Sequence, residues 1–218
     1  MISGKKTVEM LDIIDSMFPD AEAELNHDNT FELTIAVLLS AQATDNHVNK
    51  VTSSLFKKYK APEDYVEVPL EELQNDIRTI GLFRNKAKNI QKLCRDLIDK
   101  FDGQVPENYE DLVSLAGVGR KTANVVLSVA FDIPRIAVDT HVERVSKRLG
   151  IARYKDNVTQ VEETLMKKIP KDRWSKAHHQ LIFFGRYHCL ARTPKCETCP
   201  LLDDCREGRK RMKRKLKE

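Results

Sequence analysis

Nothing in this sequence is built for a membrane or for export. No apolar run is long enough to cross a bilayer, and no basic-then-apolar leader precedes the body. Both absences point to a soluble intracellular protein. Aromatic residues are scarce, at 6% with a single Trp, and only eight Gly and eight Pro punctuate 218 residues. No stretch of any length alternates apolar and polar residues as a half-buried strand would, and no internal repeat occurs. What remains is helical periodicity, which predicts an all-α protein long enough for one large or two small cored domains. A strong charge of one sign is missing too. The net charge is +4, yet residues 208–218 hold seven Lys/Arg and one Glu, +6 in all, which leaves the remainder at −2. Such a tail is expected to be a solvated, flexible end, the alternative being a helix packed on the C-terminal part of the body. It would add non-specific attraction to nucleic acid while the body relies on local patches.

The periodicity places a first helix over residues 1–18, stopped by Pro19, and a second from Thr30, with Asn29 and Glu32 as a capping-box-like start. That second helix is apolar all round, as a central buried helix is. It runs into Ser40-Ala41-Gln42-Ala43-Thr44-Asp45, where Thr44 or Asp45 can cap the next helix, about 46–59, while Gln42 has no such structural excuse. A loop is expected between Pro62 and Pro69, then a short helix from Leu70 to Ile77. Thr79-Ile80-Gly81-Leu82-Phe83 reads as a glycine C-cap turn with two large apolar residues near its tip, ordinarily a contact across the cap. Cys94 falls on the apolar stripe of a helix from Arg84 to Phe101 and reads as a small buried hydrophobe. Further helices are expected over 158–169 and from Trp174 into Cys189.

The middle of the chain is organised around Leu115-Ala116-Gly117-Val118-Gly119-Arg120-Lys121-Thr122. Asn108 caps a short helix before it, and Lys121 to Phe131 reads as a buried helix after it. Two glycines let the backbone turn sharply and bring bare N–H groups close to an anion, and the following helix adds its positive end. A helix-hairpin-helix holds a DNA phosphate in this way, which makes Gly117, Val118, Gly119 and Arg120 candidate DNA contacts. A phosphate-binding P-loop is excluded, because Arg120 separates Gly119 from Lys121 and the preceding segment is helical rather than a strand. Downstream, Asp139 is a good N-cap for a helix from Thr140 to Leu149 that Gly150 ends.

Cys189, Cys196, Cys199 and Cys205 form a C-x6-C-x2-C-x5-C pattern within 17 residues. An intracellular compartment keeps thiols reduced, so four clustered cysteines argue for a metal site rather than two disulfides. Spacing does not choose the metal: structural zinc and an iron–sulfur cluster bound by four cysteines share this ligand set. The loop between the first two cysteines carries Arg192 and Lys195, which ligands at both ends would present rigidly to phosphates.

Residues 115–126, Ile136-Ala137-Val138-Asp139-Thr140-His141, Leu38-Leu39-Ser40-Ala41-Gln42-Ala43-Thr44-Asp45, Thr79-Ile80-Gly81-Leu82 and the cysteine spacing together resemble endonuclease III, the iron–sulfur family of the helix-hairpin-helix DNA glycosylase superfamily. The resemblance covers nearly the whole chain apart from the tail, with Ala116 where the family commonly has Pro. It implies two helical domains around a DNA-binding cleft. Residues 22–132 would be a six-helix domain with the hairpin at about 109–131. Residues 1–21 and 133–207 would form a second domain holding a [4Fe–4S] cluster on the four cysteines. Lys121 and Asp139 would be catalytic, facing each other across the cleft. Gln42 would fill the space left by an extruded nucleotide and Leu82 would wedge the opposite strand, with Asp45 and His141 near the base pocket.

The activity implied is excision of oxidised pyrimidines from duplex DNA followed by strand cleavage at the abasic site, by a monomeric bacterial enzyme of the cytoplasm and nucleoid. Extrusion costs a few kcal/mol of unstacking. Lys121 would attack the sugar C1′ as a neutral amine. A helix N-terminus contributes only about 1 kcal/mol towards that state and Asp139 opposes it, so desolvation in the closed cleft has to dominate. A monofunctional adenine glycosylase would share the core and cluster but lack the lysine, and a non-enzymatic hairpin protein would not need Lys121 and Asp139 together.

Overall fold

The computed structural model describes residues 1–216. They fall into two compact units, one from Glu24 to Ile133 and one that combines Met1–Ala23 with the chain from Pro134 onward. Among the described residues there are twelve α-helices and no strand. Helix α1 (Gly4–Met17) belongs to the split unit. Helices α2 (Thr30–Leu39), α3 (Asp45–Lys58), α4 (Pro62–Glu67), α5 (Leu70–Asp76), α6 (Phe83–Phe101), α7 (Tyr109–Ser114) and α8 (Arg120–Ala130) make the continuous unit. Helices α9 (Thr140–Leu149), α10 (Val158–Lys168), α11 (Trp174–Phe183) and α12 (Arg206–Lys215) complete the split one. No described helix is long and apolar enough to cross a membrane.

Local chemistry sets many of the helix starts. Ser3, Asn29, Thr44, Asn108, Asp139 and Asn157 each accept a backbone N–H of the first turn through a side-chain oxygen, which satisfies donors the helix itself cannot. In α2 every residue from Glu32 to Leu39 is buried. The one carboxylate among them, Glu32, faces backward to accept the Asp28 N–H at 2.8 Å. Around α2 pack α3, α6 and α8, while α4 and α5 lie on α6. Cys94 is fully buried on the α6 stripe with Ile90, Leu93 and Leu97, and burial pushes its thiol up. In the split unit, α1 packs on α10 and α11, and α9 packs on α11 and α12 around Met10, Leu11, Ile14, Val145 and Leu181.

Three local expectations differ from the structure. The loop between Pro62 and Pro69 contains α4, because Pro62 occupies the first helical position, where a missing N–H leaves nothing unpaired. The segment at Gly81 is not a glycine C-cap. Leu82 itself takes the left-handed conformation (φ 60°) as the residue before α6, and its side chain is 58% exposed. The tail expected to be flexible is helical from Arg206 to Lys215, tethered where Cys205 Sγ accepts the Gly208 N–H at 3.2 Å.

Candidate functional site

In the continuous unit the hairpin is a tight turn, with the Leu115 carbonyl accepting the Val118 N–H at 3.1 Å. Gly117 is required twice over. Its φ is 78°, and a Cβ there would lie 3.0 Å from Leu38 Cδ1 and 3.1 Å from Asn89 Cβ. Gly119 differs from the expectation that both glycines serve the turn. Its backbone is extended, and a Cβ would meet nothing within 4 Å, so the free protein does not demand glycine there. No side chain caps α8, and the exposed Arg120 and Lys121 occupy its first turn. Val118 is buried in the core, which leaves only its backbone for an anion.

Gln42 follows the end of α2, and it shares one trait with Leu82. Both are exposed, and both hold a positive φ, 58° and 60°. A left-handed L-residue costs roughly 1–2 kcal/mol, and such strain collects at functional sites. The two segments are close: a Cβ on Gly81 would be 4.0 Å from the Gln42 carbonyl oxygen. Lys86, a residue that sequence reasoning passed over, braces them. Its Nζ is buried and donates to the carbonyls of Leu39 at 2.9 Å and Ala41 at 2.6 Å, holding the end of α2 onto α6. Burial keeps its ammonium below the ordinary lysine range. His47 Nε2 and Thr79 Oγ1, 3.0 Å apart, make a second tie. Asp45 begins α3, half-buried, with Thr44 rather than Asp45 as the cap.

In the split unit, Asp139 Oδ1 accepts the N–H groups of His141 (2.9 Å) and Val142 (2.8 Å), so the carboxylate is fixed at the start of α9. His141 is half-buried, its Nδ1 3.3 Å from Arg144. Gly185 permits this packing, since a Cβ there would be 2.9 Å from His141 Cβ. Further along α9, Arg148 turns inward and donates to the carbonyls of Leu190 (2.7 Å) and Ala191 (2.6 Å), and its Nη1 lies 3.5 Å from Cys189 Sγ. An arginine on the apolar face of α9, beside Val145 and Leu149, was the signal available in the sequence.

All four clustered cysteines line one hollow, together with Leu149, Phe184, His188, Pro194, Lys195, Leu202 and Gly208. Burial pushes Cys199 up to about 11 and raises Cys196 and Cys205, with the neighbouring thiols adding to the effect. Four thiolates in one hollow therefore need a cationic centre. No group of three or more His, Cys, Asp or Glu side chains among the described residues is arranged to hold a single metal ion, whereas thiols spread around a hollow suit a multi-atom cluster. Arg192 and Lys195, both exposed, line a groove on the same loop, and α12 adds Arg211 and Lys215 to it, with Lys215 paired to Glu197.

Residues 35–171 match the model of the HhH-GPD superfamily base excision DNA repair protein, and residues 189–205 match the iron-sulfur binding domain of endonuclease III. The segment carrying the four cysteines thus holds a [4Fe–4S] cluster, and the zinc alternative falls away. The chain is 64% identical to endonuclease III of Bacillus subtilis over 216 residues, covering 99% of each chain. It is 51% identical to endonuclease III of Haemophilus influenzae, over 92% of this chain and 94% of the relative. It superposes with a TM-score of 0.95 on a trapped endonuclease III–DNA covalent intermediate (an estranged-adenine complex) that is 64% identical, covering 97% of this chain and 100% of that one. The chain belongs to the endonuclease III family, the iron–sulfur branch of the HhH-GPD superfamily of base excision DNA repair proteins.

Proposed function

We propose that this endonuclease III binds duplex DNA containing oxidised pyrimidines or abasic sites, excises the base through Lys121 with the help of Asp139, and cleaves the abasic strand by β-elimination. It acts as a monomer on the bacterial nucleoid in the cytoplasm. The observation that carries this reading is Lys121 itself: an exposed amine on the first turn of a helix whose N-terminus no side chain caps, directly after the hairpin turn. The uncapped N–H groups suit a DNA phosphate, and the phosphate's sugar then lies within reach of the amine. Gly119 fits the same picture, because a bare backbone lets the phosphate approach closely.

Gln42 fills the place of the extruded nucleotide and Leu82 wedges the opposite strand. A strained, exposed Leu is hard to explain by packing and easy to explain by insertion between bases. Asp45 and His141 take part in recognising the extruded base. Lys121 is exposed in the free protein, so the exclusion of water that its chemistry requires comes with bound DNA. The amine lone pair attacks C1′ and the glycosidic C–N bond breaks, with the departing base taking the electron pair. Asp139, held by its two backbone N–H bonds, accepts the amine proton or stabilises positive charge developing on the sugar. The ring opens to a protonated imine. Loss of a C2′ proton then expels the 3′ phosphate, and water releases Lys121. Cys189, Cys196, Cys199 and Cys205 hold the [4Fe–4S] cluster, which when bound fixes the loop that presents Arg192 and Lys195 to the DNA backbone. The solved relative trapped covalently on DNA supports a covalent route.

Borohydride reduction of the protein on abasic DNA is the test. Wild type should give a stable cross-link, and Lys121→Ala should give none while still binding the DNA. Cross-linking at wild-type yield by the alanine variant would overturn the assignment.

A further inference from the structure

The hollow that receives the cluster is lined mostly by apolar groups and thiols, with two exceptions, the exposed Lys195 and the buried His188. His188 is 8% exposed and lines it, and its buried Nε2 has no hydrogen-bond partner among the described residues. The ring is not loosely placed. It stacks on Phe184, which lines the same hollow, with centroids 5.1 Å apart and planes 26° from parallel. The backbone is pinned as well: Phe184–His188 form a single π-helical turn leading into Cys189, and the His188 carbonyl accepts the Lys195 N–H at 3.1 Å. Two other donors near the thiols already have acceptors. The Gly208 N–H reaches Cys205 Sγ, and Arg148 is shared between Cys189 Sγ and the Leu190 carbonyl.

A buried ring nitrogen without a partner is rare in a folded protein and calls for an explanation. Cluster sulfides and cysteine thiolates offer lone pairs and no protons, so a ring nitrogen that bonds to them must carry the hydrogen. We propose that His188, as its Nε2–H tautomer, donates a hydrogen bond to a sulfur of the [4Fe–4S] cluster and thereby raises the cluster's reduction potential. The donor draws electron density off the sulfur and favours the more reduced, more negative state. His188 is thus a positioning residue acting on the cofactor, with no contact to DNA required. The inference rests on the four cysteines being the cluster's ligands.

Full-length protein purified without oxygen and labelled with 15N-histidine tests it. Pulsed electron paramagnetic resonance of a paramagnetic state of the cluster should show a histidine nitrogen and a proton that exchanges in D2O. Protein-film voltammetry should show a lower midpoint potential for His188→Phe, which keeps the stack on Phe184 but loses the donor, along with loss of the exchangeable-proton coupling. His188→Gln, with an amide N–H in reach, should recover part of both. An intact cluster in His188→Phe with unchanged potential and coupling would overturn the proposal. Should that variant fail to assemble its cluster, the wild-type spectrum decides, and a spectrum with neither coupling overturns it. Purified protein without iron would instead refute the cysteine assignment, and this proposal with it.

Discussion

Between Glu24 and Ile133 the core is closed by side chains alone. Ile35, Leu39, Leu55, Leu73, Ile90, Leu97 and Leu127 are essentially inaccessible and pack into one continuous cluster. The split unit has an apolar core of similar make-up, but it ends in the thiol-lined hollow, walled by Cys189 and Cys205, which belong to the core itself. The two differ again at their exposed segments. The continuous unit holds its exposed tips, Gln42 and Leu82, in strained backbone braced by Lys86. The split unit holds its basic loop by Arg148 and by ligands at both ends. One region thus has a structure complete in its own amino acids, and the other is completed by a cofactor.

Removing a cluster ligand should break this contrast most visibly. Cys199→Ser should bleach the protein and lower the opening free energies of α9, α11 and α12 by several kcal/mol, as structural metal sites contribute their binding energy to folding. Helices α2, α6 and α8 should keep theirs, which hydrogen exchange can read helix by helix. Equal loss in both units would mean that their stabilities are not separate.

The brace of the continuous unit comes next. Lys86→Met removes the bonds to the Leu39 and Ala41 carbonyls and should cost about 2 kcal/mol of stability in urea unfolding, since hydrogen bonds to a charged group contribute about 1.5–3 kcal/mol. The effect should depend on pH in a definite direction. Burial lowers the folded-state pKa of Lys86 below its ordinary 10.5. Between the lowered value and 10.5 the unfolded chain therefore binds more protons, and wild-type stability rises with pH across that window. The methionine variant lacks this rise. A parallel pH dependence in the two proteins would show that Lys86 is not the group responsible.

Leu82→Gly sharpens the comparison from the other side. It removes left-handed strain, though it adds unfolded-state freedom, so the change in stability should be neutral or a gain of up to about 1 kcal/mol. Excision of oxidised bases should nevertheless fall sharply. A clear loss of stability would mean that Leu82 packs more than it strains.

The smallest effect belongs to α12. Replacing Lys210, Lys213 and Arg214 by Gln should leave cluster absorbance and single-turnover cleavage at saturating enzyme unchanged. The slope of log affinity against log salt should flatten by about 0.9 for each phosphate that the helix no longer neutralises. An unchanged slope would assign the helix no role in binding. Cutting the chain at 208 is a poorer experiment than the notion of a loose tail suggests, because Gly208 lines the cluster hollow and donates to Cys205.

Much of the helical architecture could be read from the sequence, because caps and apolar stripes are local signals. Asn29, Thr44, Asn108 and Asp139 announce their helices within four residues, and α6 shows its buried face plainly. The hairpin and the cysteine spacing were equally legible. What escaped depends on partners distant in sequence. Lys86 looks like any helix-surface lysine until the end of α2, 45 residues earlier, is set against it. Arg148 declares its role only through carbonyls some 42 residues later. The strain at Gln42 and Leu82 has no propensity signature, since neither residue type favours that conformation. Helix α12 was legible only as the alternative to a flexible tail, because a run of like charges argues against a helix, and its tether at Cys205 and its pairings to Glu197 and Glu207 reverse that.

The split unit is assembled from the first 23 residues and the last part of the chain, with the whole continuous unit inserted between them. On the ribosome, this ordering makes α1 wait. Its apolar face of Met10, Leu11 and Ile14 has no surface to dock on until α10 and α11 have been made. At ordinary synthesis rates of about 5–20 residues per second, that is a delay of roughly ten to thirty seconds. The inserted unit can fold during this interval. Cys205 emerges later still, so iron is needed only when almost all of the chain exists. In an iron-starved cell the protein would therefore be half native: a finished hairpin unit joined to a unit whose cluster hollow is unfilled, and a target for chaperones or proteases rather than an idle enzyme.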